Sequence, residues 1–178
     1  MSTAGPRPEP QLGARTATDR ELEVLVVYHS TSGHTRAMAE FIARGIRNVE
    51  GTTAHLKCAE ETTTIDLERA AGIVVGSPVY YGSMAAPVKQ LFDRSVKVHK
   101  KLKGKVGAAF ASAGTPSGGG ETTVLDIIQA MLIHGMIVQG DPGSSPYGPV
   151  AVGAPCERVE EECLELGRRV AQLILKLV

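Results

Sequence analysis

Eight residues, His29-Ser-Thr-Ser-Gly-His-Thr-Arg36, combine hydroxyls, two imidazoles and one glycine at the point where a strand-like run gives way to a helical one. The run before it, Leu22 to Tyr28, is apolar and β-branched, as in strands buried on both faces of a parallel sheet. After it, Met38, Phe41, Ile42, Gly45, Ile46 and Val49 recur at helical spacing. A strand that turns directly into a helix leaves the first helical N–H groups unpaired, with the positive end of the helix dipole behind them. The natural occupant is an anion. A triphosphate loop would read Gly-x-x-x-x-Gly-Lys-[Ser/Thr], and a dinucleotide loop Gly-x-Gly-x-x-Gly. Neither pattern stands here, which leaves a phosphate monoester held by the Ser30, Ser32 and Thr35 hydroxyls and neighbouring amides. The same residue types also cap helices, and on this segment alone both readings stand.

Two further loops follow strand-like runs. Gly72-Ile-Val-Val-Gly-Ser-Pro-Val-Tyr-Tyr-Gly82 places a proline and two adjacent tyrosines after a short apolar strand, in a chain with only seven aromatic residues. Tyr80 or Tyr81 can stack on a planar ring, although a tyrosine packed at a sheet edge would look the same. Ala113-Gly-Thr-Pro-Ser-Gly-Gly-Gly120 follows the run Val106 to Ser112, and its glycines let backbone N–H groups approach the edge of a ring. A plain flexible loop is the competing account.

The elements that position these loops alternate. Strands are expected at 22–28, 52–57, 73–75, 106–112 and 136–139. Helices are expected from about 36, over 65–71, around Ala86 to Phe92, over 122–133 and over 157–177, where Val159, Cys163, Leu166, Val170, Leu173, Ile174 and Leu177 form one stripe. Such alternation predicts an α/β, doubly wound, five-stranded parallel sheet of order 2-1-3-4-5 with helices on both faces. In that order the loops after strands one, three and four meet in one crevice at the carboxyl ends of the strands. Residues 140–155, rich in glycine and proline, are expected to form a lid or an intersubunit arm.

Composition narrows the partners. Lysine plus arginine equal aspartate plus glutamate at 19 each, which gives no reason to expect nucleic acid or an anionic membrane. No run is long enough for a membrane span. Cys58, Cys156 and Cys163 have neither zinc nor Cys-x-x-Cys spacing and are odd in number, which fits a reducing cytoplasm. The five histidines are scattered, so no metal site is expected. Residues 1–20 read as a disordered extension and 21–178 as one domain.

Taken together, Tyr28 to Glu40, Gly76 to Asp93, Ala111 to Gly120 and His134-Gly135-Met136 resemble the flavodoxin-like NAD(P)H:quinone oxidoreductases named after the tryptophan-repressor-binding protein, WrbA. The resemblance covers nearly all of residues 22–178. It implies FMN as cofactor, its phosphate on Ser30, Thr31, Ser32, Gly33, His34 and Thr35. It places the ring against Pro78, Val79, Tyr80, Tyr81 and Gly82, and the ring edge and ribityl chain near Ser112, Ala113, Gly114, Thr115, Gly118 and Gly119. It implies that His134 borders the flavin and that Tyr147, in Pro146-Tyr147-Gly148, belongs to the site; these two are the candidates for orienting substrate. NAD(P)H as co-substrate, a quinone or similar acceptor, and a homo-oligomer, dimer or tetramer, are implied as well. The chain departs from the family in having no tryptophan and only Val96 to Lys103 where members carry a longer insertion. The rival expectation is a flavodoxin-type electron carrier with no small-molecule substrate of its own. Such carriers are usually strongly acidic, which zero net charge does not match. A response-regulator receiver shares the strand order but needs carboxylates where His29-Ser30 stands.

Overall fold

Alternate residues of Leu22–Tyr28 face opposite sides, and both sides are apolar, so this strand (β1) sits inside the sheet with helices above and below. The structure, a computed structural model, describes residues 21–178; the expected extension at 1–20 lies outside the described residues. Elements α1 (His34–Arg47), β2 (Thr52–Cys58), α2 (Thr64–Arg69) and β3 (Gly72–Tyr80) follow β1. Next come β4 (Ser83–Met84), α3 (Ala86–Arg94), a 3-10 turn (Ser95–Val98), β5 (Val106–Ala113) and α4 (Gly120–Ile133). The chain ends in β6 (Ile137–Val138), β7 (Val150–Val152) and α5 (Glu157–Leu177).

The parallel order is β2-β1-β3-β5-β6, with β7 also parallel to β5 and β4 an antiparallel stub on β3. This is the flavodoxin-like, doubly wound arrangement expected, with one correction at its edge. The fifth position is shared by two short strands: β6 pairs with Val106 and Gly107, and β7 with Ala111 to Ala113. Residues 139–149 form a strap between the two halves, and the stretch expected as one long connection contains β7. Strand β3 also runs past the expected Val75 to Tyr80, Pro78 pairing in register with Ser112.

On one face Val24, Val26, Val74 and Phe110 pack with Met38, Ile42 and Ile46 of α1 and with Cys163, Val170 and Ile174 of α5. On the other, Leu25, Val27, Ile73, Val75 and Ala109 pack with Leu67, Val88, Leu91, Ile127 and Met131. Burial pushes the Cys163 thiol up, which keeps it protonated and inert. Helices α1 and α5 approach through facing glycines: a Cβ on Gly45 would lie 2.2 Å from the Leu164 carbonyl oxygen, and one on Gly167 2.2 Å from that of Ile42. This close contact seats α1, and with it the loop at its start.

Gly45→Ala gains about 1 kcal/mol of helix propensity, but its methyl must displace backbone. A net loss of about 1–3 kcal/mol is expected, read as a lower urea midpoint at unchanged slope; an unchanged midpoint would mean that the helices part freely.

Candidate functional site

Register brings the three loops to one rim. Tyr28, the last residue of β1, lies beside Gly76, and Gly76 beside Phe110. Strands β3 and β5 run on together to Tyr80 and Ala113, so the three loops leave the same carboxyl end of the sheet, the first a few residues below the other two. Side chains then lace them together. Thr35 Oγ1 and Ser112 Oγ share a buried hydrogen bond of 2.8 Å, and Thr31 Oγ1 meets the Tyr80 hydroxyl at 2.9 Å. Ser83 Oγ donates to Asp126 at 2.6 Å, and Thr122 Oγ1 to the Gly82 carbonyl at 3.2 Å. A Cβ on Gly119 would come within 2.9 Å of the Gly82 Cα, so the second and third loops touch through a glycine pair.

The loop before α1 has an anion site's form. Gly33, at φ 90°, is the N-cap and supplies no side-chain cap; the left-handed backbone suits glycine. The Ser30 hydroxyl turns inward and accepts from the Gly33 and Arg36 N–H groups, at 3.1 and 3.3 Å. The hydroxyls therefore divide their roles. Thr35 is buried and faces Ser112, Thr31 reaches Tyr80, and Ser32 is exposed at the mouth. Nothing lies within 4 Å of a Cβ built on Gly33, Gly82 or Gly114, so space opens at all three loops. Tyr81 is fully exposed at φ 51°, an uncommon backbone state for a bulky residue; Tyr80 is 44% exposed beside it. A helix start whose N-cap glycine brings no side chain, two exposed aromatic rings and open space at all three loops suit a phosphate attached to a flat ring, which is the shape and charge of FMN.

Of the expected site residues, Ser30 to Thr35, Pro78 to Gly82 and Ser112 to Gly119 stand around this rim. Tyr147 is half exposed on the strap, in a neighbouring cavity that shares Gly119. His134 is not brought to the crevice. It ends α4, whose start is at the rim, and a 14-residue helix is about 20 Å long. It is 8% exposed, with Nε2 2.7 Å from Ser95 Oγ and Nδ1 3.3 Å from the His99 carbonyl. Within the chain this histidine joins α4 to the 3-10 turn, a structural role. Residues that spacing did not reveal are His29 and Glu60, paired at 2.5 Å on the rim, and Arg158 and Glu162 beside Tyr147. His29 and Glu60 meet across 31 residues of sequence; Arg158 and Glu162 are an i,i+4 pair on α5 that the strap brings beside Tyr147. Among the described residues no three His, Cys, Asp or Glu converge as metal ligands, and no helix is long and apolar enough to cross a membrane.

Fold and rim define a flavodoxin-like α/β protein, and a WrbA-like flavodoxin structure from Agrobacterium tumefaciens superposes with a TM-score of 0.76 at 27% identity, covering 89% of this chain and all of that one. Residues 22–145 match the family described as NADPH-dependent FMN reductase, and the chain belongs to that family of oxidoreductases. A protein named NAD(P)H dehydrogenase (quinone) from Solidesulfovibrio magneticus is 32% identical over 201 aligned positions, covering 88% of this chain and 99% of that one. One named flavodoxin from Aquifex aeolicus is 35% identical over 160, covering 85% and 86%.

The Thr35–Ser112 bond yields a direct test of how the rim is held. Thr35→Val leaves a buried Ser112 hydroxyl without its partner and is expected to cost about 1–3 kcal/mol, whereas Thr35→Val with Ser112→Ala recovers most of the loss. Additive losses in the double-mutant cycle would show that the two hydroxyls do not depend on each other.

Proposed function

We propose that the chain is an FMN-dependent oxidoreductase that passes a hydride from NAD(P)H to a quinone or similar acceptor. The observation that carries this reading is the lacing of three crossover loops around the glycine N-cap of α1. When bound, FMN supplies the chemistry, accepting a hydride and passing it on. The chain's residues bind and orient. The first-turn N–H groups of α1 that Ser30 leaves free, with the Ser32 and Ser30 hydroxyls, hold the phosphate, while Ser30 also braces the loop through the Gly33 and Arg36 amides. Tyr80 and Tyr81 cover a face of the ring. Amides of 113–119 line its polar edge, where preorganised dipoles favour the negative charge that arrives with the hydride. No side chain forms a covalent bond. Tyr147 remains the candidate for orienting substrate from the strap.

Three free cysteines, one buried, suit a reducing cytoplasm. The chain acts as a homo-oligomer in this reading, since Leu132 and Ile133 of α4 and nearby Val96 are large, apolar and exposed. The second reading, an electron carrier, is favoured by the likeness to the Aquifex flavodoxin and opposed by zero net charge.

Anaerobic mixing of the FMN-loaded protein with NADH or NADPH separates the two. Bleaching of the flavin absorbance at about 1 s⁻¹ or faster is expected of the enzyme, whereas a carrier accepts electrons from a one-electron donor but not from free nicotinamide. Ser32→Trp, which fills the mouth of the loop, is expected to purify colourless with an unchanged unfolding midpoint. A yellow variant would move the phosphate elsewhere.

A further inference from the structure

Behind the outer turn of the crevice lies a cavity of ≈ 450 Å³ that the flavin reading does not fill. The turn at 116–122 forms one wall and the strap at 144–148 the other; Val150, Val152, Arg158 and Glu162 complete it. The strap is fixed to α5. Arg169 pairs with Asp141 at 2.6 Å, and Ser144 Oγ donates to Glu162 Oε1 at 2.8 Å. The Gly143 amide and the Arg169 guanidinium hold the Asp141 carboxyl below its ordinary range.

Glu162 is the group this packing leaves incomplete. Its side chain is 9% exposed, and Oε1 accepts from both Ser144 and Arg158. Its Oε2 is buried with no hydrogen-bond partner among the described residues. A buried acceptor without a donor is destabilising, more so when charged, and a carboxylate can be satisfied only by donors. Arg158 pairs with Oε1 through a side chain that is itself 63% exposed. The same cavity is lined by Gly119, Gly120, Glu121 and Thr122, the start of the 14-residue α4, whose N-cap supplies no side-chain cap. Those N–H groups favour an anion. Tyr147, 51% exposed between Pro146 and Gly148, offers an aromatic face on the opposite wall.

A pair of hydroxyl donors, an anion and a flat base occur together in adenosine diphosphoribose. Gly119 lies on both the crevice and the cavity, so one ligand can straddle the turn, its reacting ring at the rim and its other half behind. We propose that this cavity receives the adenosine-diphosphate half of a nicotinamide dinucleotide, and that Glu162 accepts from its ribose hydroxyls and so selects the dinucleotide that lacks a 2′-phosphate. A carboxylate acceptor at that position is satisfied by a free 2′-hydroxyl and not by a 2′-phosphate, which has no proton to donate. The inference rests on the function proposed above for the reacting half; the cavity and Glu162 carry the rest.

The test uses FMN-loaded protein and two ligands that transfer no hydride, adenosine diphosphoribose and its 2′-phosphate, measured by titration calorimetry. The unphosphorylated ligand is expected to bind at least about tenfold tighter, and Glu162→Gln to weaken it about tenfold while narrowing the difference between the two. Amide shifts in the unaltered protein are expected at residues 119–122 and 144–148, which decides the matter even where the variant does not fold. Absence of binding, equal binding of both ligands, shifts elsewhere, or a folded Glu162→Gln variant with unchanged affinities would overturn the proposal. Binding as described with no bleaching by either dinucleotide would instead remove the proposed function and leave the cavity assignment in place.

Discussion

A single buried hydroxyl pair, Thr35 with Ser112, joins the start of α1 to the end of β5 across the strand that lies between β1 and β5. Parallel strands carry their crossovers out of the sheet at one end, but nothing in that geometry fixes the loops to each other. Here the link is made below the surface, where water does not compete for either hydroxyl. The loop before α1 is thereby held against the end of the sheet, and the first turn of α1 is fixed beyond β1. Tyr80 and the contact between Gly82 and Gly119 add the remaining side of the same rim.

Much of this was legible in the sequence, because the central strands and long helices carry strong periodic signals. Val24, Val26 and Val27 are apolar on both faces, and α1 and α5 each keep one continuous stripe, so their types and order follow from the hydrophobic pattern alone. The two-residue strands β4 and β6 and the three-residue β7 are too short to show a period, and only pairing with β3 or β5 makes them strands. The extension of β3 through Pro78 was hidden for a related reason, since proline argues against a central strand until the strand reaches the rim.

Side chains at the site divide along the same line. The placing of Ser30, Gly33 and the tyrosines at loops beyond the strands could be read from local sequence, while the choice between helix cap and anion site, or between packed and stacking ring, could not. The roles of Thr35 and His134 could not, because each depends on a partner far away in the chain: Ser112 for one and Ser95 for the other. A histidine at a helix end looks alike whether it meets a ligand or a buried serine. Glu162 is a similar case, one acidic residue among several on α5, distinguished only by the strap laid over it.

The split outer position also governs how the molecule meets others of its kind. Between β6 and β7 the strap brings Gly148 so close to β5 that an added Cβ would lie 2.1 Å from the Ala109 carbonyl oxygen, and the Pro149 carbonyl accepts from the Ala111 amide. Among the described residues, no long, flat ribbon edge remains on that side for a foreign strand to zip onto. At the opposite margin the Arg47 guanidinium caps the Ala54 carbonyl of β2 at 2.6 Å. Among the described residues the ladder thus carries an interruption at one margin and a cation on one carbonyl of the other, two features that disfavour addition of a foreign strand.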